Sequence, residues 1–135
     1  IMRQVIDHIV SGDQAAQLRI DVVDGAAPDG ADHAYMVSGF STVNNSSEDY
    51  LVRAIGDGPG GSILPVLFQK GPIGECGVNG ITQEALLAIV IDRLRSFQLG
   101  PFSCRENAIA LTHCEDALMW LQRRTVTRIK RGVEA

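Results

Sequence analysis

Three arginines, Arg124, Arg128 and Arg131, recur at intervals of four and three residues near the end of the chain. On an α-helix that spacing sets three guanidinium groups on one stripe. A guanidinium fork matches phosphate oxygens in pairs and can also stack on a base. Arg123 and Lys130 extend the run, which contains no acid, so an anion is its natural partner. The plainer reading is that these cations solvate a helix terminus and complement its negative end, and spacing alone favours it. Phe97 is likewise a core residue by periodicity before it is a stacking platform. Asn107, near a helix start, fits a local cap or a solvated side chain. Arg105 reads as a surface charge, and Met119 and Trp120 read as packing residues.

Nothing in the chain assembles a nucleophile with a base and an orienting partner. Ser103, Cys104 and Cys114 have only His113 nearby in sequence. Glu115 and Asp116 are adjacent, so on a helix they point about 100° apart rather than at one substrate atom. Cys76, Cys104 and Cys114 are too few and too irregular for a disulfide framework, and free buried thiols are expected. His8, His33 and His113 stand at no zinc-like spacing from them. A binding protein without catalytic apparatus, metal or cofactor is the expectation.

Charge supports a small anion rather than a polymer. The net charge is -4, but residues 1–80 hold ten acids against four bases, whereas residues 81–135 hold six against eight. A long nucleic acid would be repelled by the acidic first part. The longest nearly unbroken apolar stretch, Ala85 to Ile91, is far short of the roughly 20 residues a membrane span needs, and no signal peptide pattern precedes it. A soluble, intracellular protein is expected.

The elements that position these residues fall into two kinds. Gln4 to Val10, Gln17 to Val23, Tyr35 to Phe40 and Ile63 to Phe68 read as strands separated by turn residues, with Tyr50 to Ile55 as a further edge strand. Residues 24–30 and Asn44 to Ser47 read as loops. Gly56 to Ser62 reads as a flexible hairpin loop, because it lacks the Gly-Lys-Ser/Thr ending of a phosphate-binding loop. Gly71 to Gly74 marks a second break.

Beyond it Thr82 can cap a helix that carries Glu84 in its first turn, with apolar residues at Leu86, Ile89, Val90, Leu94 and Phe97. Gly100-Pro101 stops it, the glycine tolerating a reversed backbone. Ser103 and Glu106 have capping-box spacing for a second helix, from about Cys104 to near Arg131. Its seam is Leu111, Cys114, Leu118 and Leu121, continued by Asn107 at one end and by Thr125 and Arg128 at the other. A loop of a few residues makes the pair an antiparallel αα-hairpin, and the last turns of the longer second helix should project beyond the first. The fold class expected is α+β. A small antiparallel sheet in a β-rich portion, 1–76, precedes a helical hairpin domain, 77–135, in one compact unit.

At these residues the sequence resembles a known family. Gly77-Val78-Asn79-Gly80-Ile81-Thr82-Gln83-Glu84-Ala85-Leu86-Leu87, then Phe97-Gln98 with Gly100-Pro101-Phe102, then Cys104-Arg105-Glu106-Asn107-Ala108, and then Leu121 to Thr125 with Arg131-Gly132-Val133-Glu134 occur in order over about 60 residues. They resemble the hairpin domain shared by phage anti-Thoeris and anti-CBASS sponge proteins. A β-rich portion ahead of the hairpin is the arrangement of the anti-Thoeris sponge. The resemblance implies a phage protein in the cytoplasm of the infected bacterial host that sequesters cyclic ADP-ribose isomers made by TIR-domain enzymes, including the glycocyclic type, without degrading them. It implies a hexamer joined through the hairpins, with separate pockets for cyclic trinucleotides.

Carried over residue by residue, Phe97 would stack on a base, Asn107 would hydrogen-bond the ligand, and Arg124 with Arg128 would hold phosphates. The cyclic-nucleotide pocket would fall at Asn79, Thr125 and Arg131. Asn107 and Arg124 are about 25 Å apart along one helix, so with these family roles one pocket needs two chains. No family-type arginine aligns in the first half, where Arg53 and Lys70 are the candidate substitutes. Three alternatives stand beside this reading: a sponge for cyclic di- and trinucleotides alone, a nucleic-acid-binding regulator using the basic helix, and a hydrolase of the same signal.

Overall fold

The structure is a computed structural model and describes residues 3–23, 32–40, 57–58 and 61–132. The expected strand at Tyr50 to Ile55 and the expected loops at 24–30 and 44–47 lie outside these residues. Contacts divide the chain into two compact units, Ile1–Phe68 and Gln69–Ala135.

The first unit is an antiparallel sheet of five strands: β1 (Arg3–Val5), β2 (Arg19–Val22), β3 (Ala34–Phe40), β4 (Asp57–Gly58) and β5 (Gly61–Leu67), in the order β1-β2-β3-β5-β4. The first strand is much shorter than its apolar run suggested. Ile9 N–H bonds back to the carbonyl of Ile6 at 3.0 Å and turns the chain there, leaving Ile6 and Val10 exposed. The glycine-rich stretch read as a hairpin loop does turn a hairpin, and its ends join the sheet, Asp57 pairing with Ser62 and Gly58 with Gly61.

Val22 is the one fully buried large side chain among the described residues of the sheet, and Asp21 beside it is buried too. Arg19 Nε donates to both Asp21 oxygens, at 3.1 and 2.8 Å, and that bond and charge raise the arginine's pKa further. Tyr35 meets Phe68 edge to face at 5.6 Å. Between Val37 and Phe40 the β3–β5 register slips, and Gly39 there has φ +85°. A Cβ on Gly39 would collide with the Gln17 carbonyl, so the close approach of the turn ahead of β2 to β3 requires a glycine.

The second unit comprises α1 (Ile73–Cys76), α2 (Gln83–Leu99) and α3 (Arg105–Lys130). The expected break at 71–74 thus includes a single helical turn, flanked by left-handed Gly71 and Gly77. Thr82 caps α2 as expected, accepting from Ala85 N–H at 3.1 Å. Gly100 ends α2 in an extended conformation, φ −110° and ψ −172°, not the reversed one expected. Gln98 holds the turn that follows: its amide donates to Cys104 O and accepts from Cys104 N–H, both at 3.1 Å. Cys104, not Ser103, caps α3, with Sγ 3.4 Å from Asn107 N. The thiols also differ from expectation, since Cys76 and Cys104 are exposed and Cys114 is half-buried.

On α3 the half-buried positions include Asn107, Leu111, Cys114, Leu118, Leu121, Thr125 and Arg128, the seam read from the sequence. On α2 the facing stripe is Glu84, Leu87, Ile91, Leu94 and Gln98, and Ile91 at 3% exposure is its only buried apolar side chain. Leu86, Ile89 and Val90, part of the apolar pattern read from the sequence, lie off this stripe and are each more than a third exposed. A helix apolar on two faces gives one periodic signal, and only packing decides which face meets the partner.

Candidate functional site

The hairpin separates the candidate ligand residues by length alone. Thr125 Oγ1 lies 3.4 Å from Glu84 Oε2 and Arg95 Nη2 lies 2.8 Å from Glu115 Oε2, which fixes an antiparallel register. Helix α2 has 17 residues and α3 has 26, so α3 outruns its partner by about two and a half turns in all. The register shares that excess between both ends, rather than placing it at the C-terminal end as expected. Phe97 and Asn107 therefore stand towards the turn end of the hairpin, and Arg124, Arg128 and Arg131 stand at its open end.

At the turn end Phe97 is half-buried, and the Arg93 guanidinium lies over its ring at 5.1 Å. Asn107 is half-buried, and its side-chain amide bonds to no described residue. A cleft of about 400 Å³ opens beside Phe97, lined by Asp92, Arg93, Ser96, Gly100, Pro101 and Phe102. Asp92, Arg93 and Phe102 escaped the sequence reading. Asp92 and Arg93 belong to no motif read from the sequence, and Phe102 is brought to the cleft only by the turn that Gln98 fastens.

At the open end Arg124, Arg128 and Arg131 form no ion pair with any described residue. Arg128 is half-buried on the packing face, where an unpaired guanidinium still needs an anion or water. Glu84 Oε1 is buried close by without a hydrogen bond. Thr125 spends its hydroxyl on Glu84 and on the Leu121 carbonyl, at 3.4 and 3.3 Å. Asn79 is committed locally: its Oδ1 accepts from Lys70 N–H at 2.8 Å, and its Nδ2 donates to Lys70 O at 2.7 Å. Gln69 Oε1 accepts from Asn79 N–H at 3.0 Å, so this cluster fastens residues 69–70 to the segment leading into α2. Lys70 takes part through its backbone, and Arg53 lies outside the described residues.

Among the described residues no group of His, Cys, Asp or Glu could hold a metal ion, and no helix is long and apolar enough to cross a membrane. What the geometry offers is an aromatic ring with a free amide at one end of a rigid rod and uncommitted guanidinium groups at the other.

Comparisons with known proteins bear on the same hairpin residues. Residues 64–126 match the family model described as "Acb2/Tad1, hairpin domain". These residues, which hold most of the motifs quoted from the sequence, are thus similar to the Acb2/Tad1 hairpin domain. It is similar to "Thoeris anti-defense 1" of Bacillus phage SBSphiJ7, with 54% identity over 74 residues, 55% of this chain and 52% of the relative. The chain therefore matches about half the length of that curated relative.

Proposed function

We propose that this chain is a phage-encoded sponge that blocks Thoeris-type bacterial defence by binding cyclic ADP-ribose isomers, those of the glycocyclic type included, and holding them intact. The observation that carries the reading is the division of the polar groups. Phe97 and Asn107 are presented at one end of the hairpin, and the unpaired Arg124 and half-buried Arg128 at the other. Asn107 and Arg124 are 17 positions apart on α3, about 25 Å, more than one such ligand spans. Two copies complete a site, one stacking the base on Phe97 and bonding it through Asn107, the other holding phosphate with Arg124 and Arg128.

The outward apolar side chains support association. Leu86, Ile89 and Val90 on α2 and Met119, Trp120, Val126 and Ile129 on α3 are each more than a third exposed in the single chain. The assembly proposed is a hexamer joined through the hairpins, working in the host cytoplasm. Asn79, Thr125 and Arg131 border the second pocket, for cyclic trinucleotides, with Asn79 shaping its wall through the Lys70 backbone. One alternative is a sponge for cyclic di- and trinucleotides alone, built on the same hairpin.

The test is to incubate the protein with cyclic ADP-ribose isomers, remove free ligand, heat-denature, and identify the released nucleotide by chromatography and mass spectrometry. Intact isomer is expected. A cleaved product would make the protein an enzyme and overturn the proposal. Release of cyclic oligonucleotide alone would move it to the alternative.

A further inference from the structure

The cleft beside Phe97 carries chemistry that neither the arginines nor Asn107 supply. Two aromatic rings line it, Phe97 from α2 and Phe102 from the turn after it. The turn is fastened by the two Gln98–Cys104 hydrogen bonds, so the second wall is built into the fold. Asp92 and Arg93 complete the rim. The Asp92 carboxylate makes no hydrogen bond or ion pair with any described residue; only its backbone carbonyl is engaged, accepting from Ser96 Oγ at 3.0 Å. The Arg93 guanidinium touches the Phe97 face and pairs with no described carboxylate. Ser96 has already committed its proton to that carbonyl.

An uncommitted acceptor and an uncommitted fork of donors therefore flank an aromatic platform. At about 400 Å³ the cleft sits near the small end of ligand pockets, room for a base and its sugar rather than for a whole dinucleotide. A planar heterocycle suits it when one edge offers an N–H donor and an adjoining position offers a lone pair. An amino-bearing nucleobase such as adenine has both. Hypoxanthine has a carbonyl where adenine has the amine, and would set oxygen against the carboxylate.

Resting on the sponge reading above, we propose that Asp92 and Arg93 read the edge of the base that stacks on Phe97, so that the cleft selects a base with an exocyclic amino group. Asp92 accepts from the amine, and Arg93 donates to a ring nitrogen or to the sugar oxygens beside it. A charged hydrogen bond is among the stronger kinds, and leaving a carboxylate facing an acceptor is unfavourable besides.

The experiment titrates the full chain calorimetrically with glycocyclic ADP-ribose and with its hypoxanthine counterpart. The expected result is at least tenfold tighter binding of the adenine form. Asp92→Asn and Asp92→Ala should shrink that ratio to less than threefold with an unchanged thermal midpoint, because the side chain has no partner to lose. Phe97→Ala should weaken both ligands together. Equal binding of the two by the unmutated chain, which needs no variant, overturns the inference while leaving the sponge reading in place. Retention of the full ratio in both Asp92 variants does the same. Binding of neither ligand by the unmutated chain overturns the sponge reading, and the inference with it.

Discussion

Ile89 and Ile91 are the same residue two positions apart on α2, one 64% exposed and the other 3%. Replacing Ile91 with Ala removes three buried carbons, worth about 0.8 kcal/mol each, and leaves part of a cavity in the α2–α3 seam, for a total of about 3 kcal/mol. In a lone chain Ile89 retains roughly a third of that burial, so Ile89→Ala should lower stability by under ~1 kcal/mol. In the proposed assembly a second copy covers Ile89, and the loss approaches that of Ile91→Ala. It also becomes dependent on protein concentration, since association stabilises by mass action. Urea unfolding followed by circular dichroism at two concentrations a hundredfold apart separates the cases. A loss below ~1 kcal/mol for Ile89→Ala at both concentrations would falsify the claim that this face is an interface. A loss below ~1 kcal/mol for Ile91→Ala would refute the seam itself.

Three further outcomes follow from single contacts. Gly39→Ala should destabilise the sheet by about 1–3 kcal/mol or more, because φ +85° and the Gln17 carbonyl both oppose a side chain there; a urea midpoint equal to the parent's would contradict the close approach of Gln17 to β3. Cys104→Ser should raise the thermal midpoint, since a hydroxyl is a better N-cap acceptor than a thiol 3.4 Å from Asn107 N, with a gain of up to about 1 kcal/mol; a lowered midpoint would mean that the sulfur's packing outweighs its capping. Asn107→Ala and Arg124→Ala should each abolish tight ligand binding, whereas chains unfolded together and refolded as a mixture should recover about a quarter of the sites, as random pairing across a two-chain site requires. Recovery of none, with both variants folded and associated, would put Asn107 and Arg124 in the same chain's site or outside it.

The sequence was most informative where a physical constraint acts along one element. The α3 seam from Asn107 to Arg128 was legible because heptad spacing alone sets which residues share a face, and each of those positions is half-buried. Thr82 was legible because an N-cap is local. The α2 seam was not, because Leu86, Ile89 and Val90 compete with Leu87, Ile91 and Leu94 in the same apolar pattern. Ser103 and Cys104 are neighbours that can both cap, and the Gln98 clasp on the Cys104 backbone decides between them. Asp92 and Phe102 could not be found from spacing, since their meeting depends on how the turn folds back beside Phe97. The Asn79 clasp on Lys70 was hidden for the same reason, a polar contact across nine positions with no periodic signature.

Rigidity links the proposed function to the apolar surface. No side-chain rearrangement closes the distance from Asn107 to Arg124, because an α-helix continuous from Arg105 to Lys130 holds them about 25 Å apart. A ligand that needs both groups must recruit a second hairpin running the opposite way, and a two-fold arrangement that completes one such site completes its mate as well. The faces available for that approach are those carrying Leu86, Ile89 and Val90 on α2 and Trp120, Val126 and Ile129 on α3. In the proposed reading, burying the apolar stripe and completing the binding site are one event. Ligand and assembly then stabilise each other reciprocally. A sponge built this way is preorganised before its ligand arrives, because apolar burial sets the positions of the guanidinium groups in advance.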